Sequence, residues 1–304
     1  MVPAGSEAAA RAALVWVDRA GKAAGRAVGE LIESPHSPRL SPDGTHIVAS
    51  RGAFASSTLW SYDLRGRPPI PIGTGTGLEL PVWSADGQEI AFTTAGTGYL
   101  FTVRADGSTL AQQPLRGERI FGVPSYWSTT GELFLVAIAL DIQVVSTKAD
   151  TPVRDLIVTE YQEYDPALSP DGHWLAYVSN RSGAAEVWVQ AYPEGTAVRV
   201  SARGGYEPRW SADGKELFYL QDTAMMAVRV QPGNDFSFAA PVELFRGGYT
   251  VFPDAFIGSY DVAQDGRFLM IQQDEDARVR SGSASIVVVQ NWTEELKRLV
   301  PPRK

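Results

Sequence analysis

The sequence predicts a closed all-β fold: a six-bladed β-propeller of four-stranded antiparallel blades, with seven blades as the alternative. Three observations predict it. A Ser-x-Asp-Gly turn recurs along the chain, as Ser41-Pro42-Asp43-Gly44, Ser84-Ala85-Asp86-Gly87, Ser169-Pro170-Asp171-Gly172 and Ser211-Ala212-Asp213-Gly214, with looser copies at Ser128-Thr129-Thr130-Gly131 and Ala263-Gln264-Asp265-Gly266. From Gly44 through Gly87, Gly131, Gly172 and Gly214 to Gly266, the steps are 43, 44, 41, 42 and 52 residues. A period of roughly 40–45 residues with four strands per unit is the mark of a propeller. Finally, each turn is followed by an apolar or alternating run such as Trp174-Leu175-Ala176-Tyr177-Val178. Asp-Gly between two such runs is a strong hairpin signal, because a tight turn needs positive φ and glycine adopts it freely.

The elements follow in order. Residues 1–13 are Ala-rich with scattered charges and lack the basic-then-apolar order of a signal peptide. They read as a tail, or as the scar of a longer chain cut just before the domain. Leu14–Asp18 is a short strand, left over from the repeat count. Second strands are expected at 47–50, 89–93, 133–137, 174–179, 216–220 and 267–272. Third strands are expected at 59–64, 99–104, 142–146, 186–191, 225–230 and 285–290. Most are rich in Val, Ile, Tyr, Phe and Trp, which suit a buried pleated surface. Weaker fourth strands fall near 69–72, 113–115, 154–158, 197–201 and 242–245. The sixth unit has no fourth strand after Gln290, where Asn291–Lys297 looks helical. Propellers close by letting one terminus supply a strand to the last blade. Leu14–Asp18 is therefore expected to complete the blade that holds Asp265. The long last step is read as a face loop around Gly247–Gly258. The expected organisation is one domain over 14–296, with 297–304 as a C-terminal tail.

Composition bounds the function. The formal net charge of −8 argues against a nucleic-acid partner, which needs a clustered basic surface. The absence of cysteine excludes disulfides, Cys-ligated zinc and thiol catalysis. No run of 18 apolar residues occurs, so no membrane insertion of this segment is expected. The compartment is open: extracytoplasmic if the chain derives from a membrane-anchored parent, cytoplasmic if Met1 is the native start.

Catalytic patterns are scarce. The three histidines form no His-x-x-x-His or Glu-x-x-His pair, and no Gly-x-Ser-x-Gly elbow is present. Gly73-Thr74-Gly75-Thr76-Gly77 precedes a strand rather than a helix, so it lacks the helix N-terminus that makes a phosphate site. No cofactor is implied. The repeated aspartates read as turn residues, since Asp bonds readily to backbone N–H groups two residues on. The positions just upstream of the turns are different. Four residues before the repeat serine stand Ser37, Leu80, Pro124, Asp165, Glu207 and Ser259. Five before it stand His36, Glu79, Val123, Tyr164, Tyr206 and Gly258. The turn repeats while these positions diverge, as expected of a binding face grafted onto a frame, or of loops that simply drift. The candidate ligand contacts are His36, Glu79, Tyr126, Tyr164, Asp165, Tyr206, Glu207 and Arg209. The acidic members favour a cationic ligand.

Ser-Pro-Asp-Gly followed by Trp-Leu-Ala-Tyr-Val resembles the WD40-like repeat of TolB-type propellers. The run Leu175–Gly183 with Glu186-Val187-Trp188-Val189, together with Glu207-Pro208-Arg209-Trp210-Ser211 and Val288–Leu296, is similar to propellers attached to bacterial serine/threonine protein kinases. The resemblance covers nearly the whole chain. It implies a non-catalytic sensor or scaffold that binds a protein, peptide or small molecule over one face, with a kinase domain linked in a longer parent chain. No kinase motif occurs here. The alternative is a propeller hydrolase or lyase with an axial metal.

Overall fold

A Ser-x-Asp-Gly turn is held by hydrogen bonds among its own residues. The Ser41 hydroxyl donates to Asp43 Oδ1 (2.6 Å) and accepts from the His46 N–H (2.9 Å), while Thr45 N–H donates to the same Asp43 oxygen (3.0 Å). Gly44, at φ 67°, closes the turn onto the Ser41 carbonyl. The same bonds recur around Ser84, Ser169 and Ser211. Those hydroxyl and N–H donors hold the Asp43 and Asp213 carboxyls down at about 2. The aspartates are turn residues.

The structure is a computed structural model that describes residues 11–274, apart from 96, 109–111, 138, 148–150, 232, 234 and 253–256. In chain order it opens with β1 (Arg11–Val17), β2 (Ala23–Arg26) and β3 (Ile32–Glu33). Blade 1 is β4 (His36–Leu40), β5 (His46–Arg51), β6 (Thr58–Asp63) and β7 (Ile70–Ile72). Blade 2 is β8 (Leu78–Trp83), β9 (Glu89–Thr94), β10 (Leu100–Arg104) and β11 (Gln113–Pro114). Blade 3 is β12 (Val123–Trp127), β13 (Glu132–Val136), β14 (Ile142–Ser146) and β15 (Arg154–Ile157). Blade 4 is β16 (Glu163–Leu168), β17 (Trp174–Ser179), β18 (Glu186–Ala191) and β19 (Val198–Arg199). Blade 5 is β20 (Tyr206–Trp210), β21 (Glu216–Gln221) and β22 (Ala224–Gln231), with β23 (Ser237–Phe238) and β24 (Val242–Arg246) both against β22. Two further strands, β25 (Tyr260–Val262) and β26 (Phe268–Gln273), begin blade 6.

Blade 6 is finished by the other end of the chain, in the order β25-β26-β1-β2. β1 runs antiparallel to β26, from Ala12 opposite Gln273 to Val17 opposite Phe268. The strand expected to complete the blade of Asp265 is therefore there, but two strands come from the N-terminal side rather than one. β1 starts at Arg11, inside the stretch read as a tail, and Ala12 and Ala13 are buried. The place beside β26 expected for 285–290 is held by β1. That run and Asn291–Lys297 lie outside the described residues. The six sheets form six blades, with almost no helix among the described residues.

Six apolar clusters fill the gaps between consecutive blades. β1 shows how: Ala13, Val15 and Val17 pack toward blade 5, while Ala12 and Leu14 pack toward blade 1. Both faces of a middle strand are buried, so such strands read as continuous apolar runs. The innermost strands β4, β8, β12, β16, β20 and β25 are left to line the axis.

Candidate ligand site on the propeller axis

Five of the six innermost strands, all but β25, meet the axis with one repeated irregularity. Pairing to the next strand slips between His36 and Arg39, Glu79 and Val82, Pro124 and Tyr126, Tyr164 and Ala167, and Tyr206 and Arg209. Inside four of these bulges a non-glycine residue takes positive φ: Ser37 (51°), Leu80 (56°), Asp165 (52°) and Glu207 (53°). A proline follows each one, at 38, 81, 166 and 208. Proline has no N–H to place in a ladder, and a bulge re-aims the side chains after it. The left-handed conformation costs an L-residue about 1–2 kcal/mol, a strain that concentrates at binding and active sites.

Past the bulge, two residues before each repeat serine or its Ala263 equivalent, stand Arg39, Val82, Tyr126, Ala167, Arg209 and Asp261, one from each blade. All six line a single pocket of about 360 Å³ that opens on the face of the repeat turns. The next residues along the strands add the indoles of Trp83, Trp127 and Trp210 to its wall. Two of these rings are also stitches between blades: Trp83 Nε1 donates to the Arg39 carbonyl and Trp210 Nε1 to the Ala167 carbonyl, each at 3.0 Å. The lining is mostly apolar and aromatic with a few convergent charges, the usual make-up of a ligand pocket.

The charges are arranged in two layers. In the pocket layer, Arg39 Nη1 donates to the carbonyls of Pro38 and Tyr260 (both 3.2 Å), and Arg209 Nη1 to the carbonyl of Pro208 (2.8 Å). Asp261 has both oxygens occupied by backbone, Oδ2 by Leu40 N–H (2.7 Å) and Oδ1 by Val262 N–H (3.0 Å). Behind it lies the bulge layer. Asp165 Oδ2 accepts from Glu207 N–H (3.3 Å), and Glu207 accepts from both the N–H and the hydroxyl of Ser259. The Tyr260 hydroxyl donates to the Glu207 carbonyl at 2.8 Å. Burial pushes the Glu207 carboxyl up to about 7, with the Asp165 charge adding and Arg209 opposing. Asp165 is raised by burial, against the pull of Arg209 and Arg39. Burial and the like charge of Arg209 bring Arg39 down to about 10, so it stays charged at neutral pH.

The structure places the eight sequence candidates in four settings. Tyr126 and Arg209 line the pocket. Asp165 and Glu207 lie directly behind it, buried. His36 and Glu79 form a buried pair at 2.6 Å, and Glu79 also accepts from the Ser57 hydroxyl (2.5 Å) and Ala55 N–H (3.1 Å), which ties down the loop of residues 52–57. Tyr206 is buried with its hydroxyl on the Asp222 carbonyl, and Tyr164 packs against the cluster between blades 5 and 6. The sequence reading did not include Arg39, Asp261 and the three indoles. A signal was available for three of them: Arg39, Trp83 and Trp210 lie one or two residues after an X-Pro pair ahead of the turn, whereas Asp261 and Trp127 do not. Among the described residues, no group of three His, Asp or Glu side chains is placed to hold a metal.

No family model matches the chain. An uncharacterized protein of Agrobacterium fabrum is 24% identical over 210 residues, covering 64% of this chain and 68% of that protein. Among solved structures, a TolB candidate from Agrobacterium tumefaciens superposes with a TM-score of 0.66 at 19% identity, over 87% of this chain and 99% of that one. TolB from Acinetobacter baumannii gives 0.57 at 17% identity, over 77% and 66%. The fold is a TolB-like β-propeller. An oligogalacturonate lyase from Vibrio parahaemolyticus also superposes, at 0.54 and 10% identity over 86% and 71%.

Proposed function

We propose that the chain is a non-catalytic binding propeller that takes a short segment of a partner protein or peptide into the axial pocket. One observation carries this reading: a single repeat position contributes one side chain from each of six blades to one open pocket. The six residues differ in charge and size, whereas the turns around them repeat. The likeness to TolB structures supports a binding or scaffold role, and the similarity to kinase-attached propellers supports a sensor module within a longer chain. A pocket of this volume accepts a few residues of extended chain, not a folded domain. A second reading, a propeller enzyme, draws on the lyase likeness.

Selection from a phage library of linear twelve-residue peptides tests the binding reading. The wild-type propeller is compared with an Ala85→Trp/Ala212→Trp variant, whose new indoles crowd the pocket mouth. Enriched peptides should bind the wild type and lose about tenfold or more in affinity, roughly 1.4 kcal/mol, on the blocked variant. No enrichment, or binding indifferent to the block, overturns it.

A further inference from the structure

We propose that Arg39 and Arg209 make the axial pocket a receptor for the carboxylate of an Asp or Glu side chain on the bound peptide segment; this rests on the binding reading above. The bonding of the pocket layer supports it. Each guanidinium is anchored through Nη1 to backbone carbonyls alone, and among the described residues neither forms an ion pair with a carboxylate. The remaining N–H donors of both forks have no partner there, on side chains that line an open cavity. The three nearby carboxylates do not compete for them. Asp261 holds backbone N–H groups of blades 1 and 6, Asp165 holds the Glu207 N–H, and Glu207 holds Ser259. A planar fork with free N–H pairs is the geometry that carboxylates bind in bidentate fashion.

Arg39 is also held in position. Its guanidinium lies over Gly258, where an added Cβ would stand 2.7 Å from Nη1 and 2.9 Å from Nη2. The missing side chain is a cradle for the cation. Two features choose among anions. The negative groups behind the arginines balance much of their charge, which favours a monoanion over a phosphate dianion. The free donors are side-chain forks, whereas a chain-terminal carboxylate is typically captured by backbone N–H nests. The indoles of Trp83, Trp127 and Trp210 then take the apolar neighbours of the acidic residue, in the way aromatic anchors do at binding surfaces.

The test uses the twelve-residue peptides returned by the selection above, resynthesised in three forms: as selected, with every Asp and Glu changed to Asn and Gln, and with phosphoserine in place of the acidic residue. Fluorescence anisotropy should show the amide form binding about tenfold or more weakly than the acid, and the phosphoserine form no tighter. Arg39→Gln and Arg209→Gln should weaken the acid form by a similar factor and leave the amide form unchanged. Gly258→Ala keeps both charges but displaces the Arg39 fork, and should weaken the acid form alone. Peptides that depend on the open mouth but bind equally as acid and amide overturn the carboxylate assignment and leave the binding reading standing. Tighter binding of the phosphoserine form overturns it as well. A selection that returns no mouth-dependent peptide overturns both.

Discussion

Two layers of the innermost strands, only two residues apart, are put to opposite uses. The bulge layer holds Asp165, Glu207 and Ser259, bonded from blade to blade: Asp165 accepts from the Glu207 N–H, and Glu207 accepts from Ser259. The pocket layer holds Arg39, Arg209 and Tyr126, open to solvent on the turn side. Both layers diverge from blade to blade, so divergence alone does not mark a ligand site. Depth along the axis separates them: the buried layer locks blades together, and the open layer is free to receive something. Substitutions in the first should therefore change stability, and substitutions in the second should change binding.

The largest effect is expected at the equivalent lock between blades 1 and 2. Glu79→Ala leaves His36 Nε2, the Ser57 hydroxyl and the Ala55 N–H without their shared acceptor. Leaving three buried donors without an acceptor costs about 3 kcal/mol or more. Urea denaturation should show that loss, and a change under about 1 kcal/mol would break the division between layers.

Glu207 gives the next effect, and it depends on pH. Its carboxyl titrates near 7 in the fold against 4.5 ordinarily, so between those values the folded chain keeps a proton that the unfolded chain has lost. Stability should fall as pH rises from about 4.5 to about 7 and level off above, by up to about 3 kcal/mol at roughly 1.4 kcal/mol per unit. Denaturation at pH 5 and pH 8 measures it, and Glu207→Gln should flatten that slope. The turn aspartates act elsewhere: with Asp43 and Asp213 held near 2, their contribution is lost only as pH falls below about 4. A slope in the variant equal to the wild type would place the titrating group outside the bulge layer.

Smaller still is Gly172→Ala, in a turn that repeats. Gly172 sits at φ 75° with no atom within 4 Å of an added Cβ, so only the backbone conformation is penalised, by about 1 kcal/mol. Ala212→Trp at the pocket rim should be the mildest for folding, within about 0.5 kcal/mol, while it obstructs the peptide site. A thermal melt of that variant beside its binding curve is the sharpest separation of the two layers.

The frame was legible in the sequence because its information is local. Ser41, Asp43 and Gly44 bond within five residues of one another, and the same chemistry recurs at Ser84, Ser169 and Ser211. Strand positions in the first five blades, the blade count and the pairing of the first strand with the last blade followed from that period. Tyr126 and Arg209 were legible as candidates from their phase in the repeat. The roles of Glu79 and Glu207 were not, because their partners lie far away in the chain: Ser57 is 22 residues from Glu79, and Ser259 is 52 from Glu207. Nothing near a glutamate in sequence says whether a distant hydroxyl will occupy it. Arg39 was missed for a related reason, since the cradle that holds it is Gly258, across the closure of the ring.

That closure carries one more consequence. Because β1 lies against β26, Asp274 N–H donates to the Arg11 carbonyl at 3.1 Å, and the two limits of the described ring meet at one point on its rim. Residues 11–274 could therefore be grafted as a cassette: a host loop with closely spaced ends could accept that segment without being pried apart. By the same geometry, joining residues 11 and 274 through a short linker and opening the chain at an exposed repeat turn gives a circular permutant with every blade pairing intact.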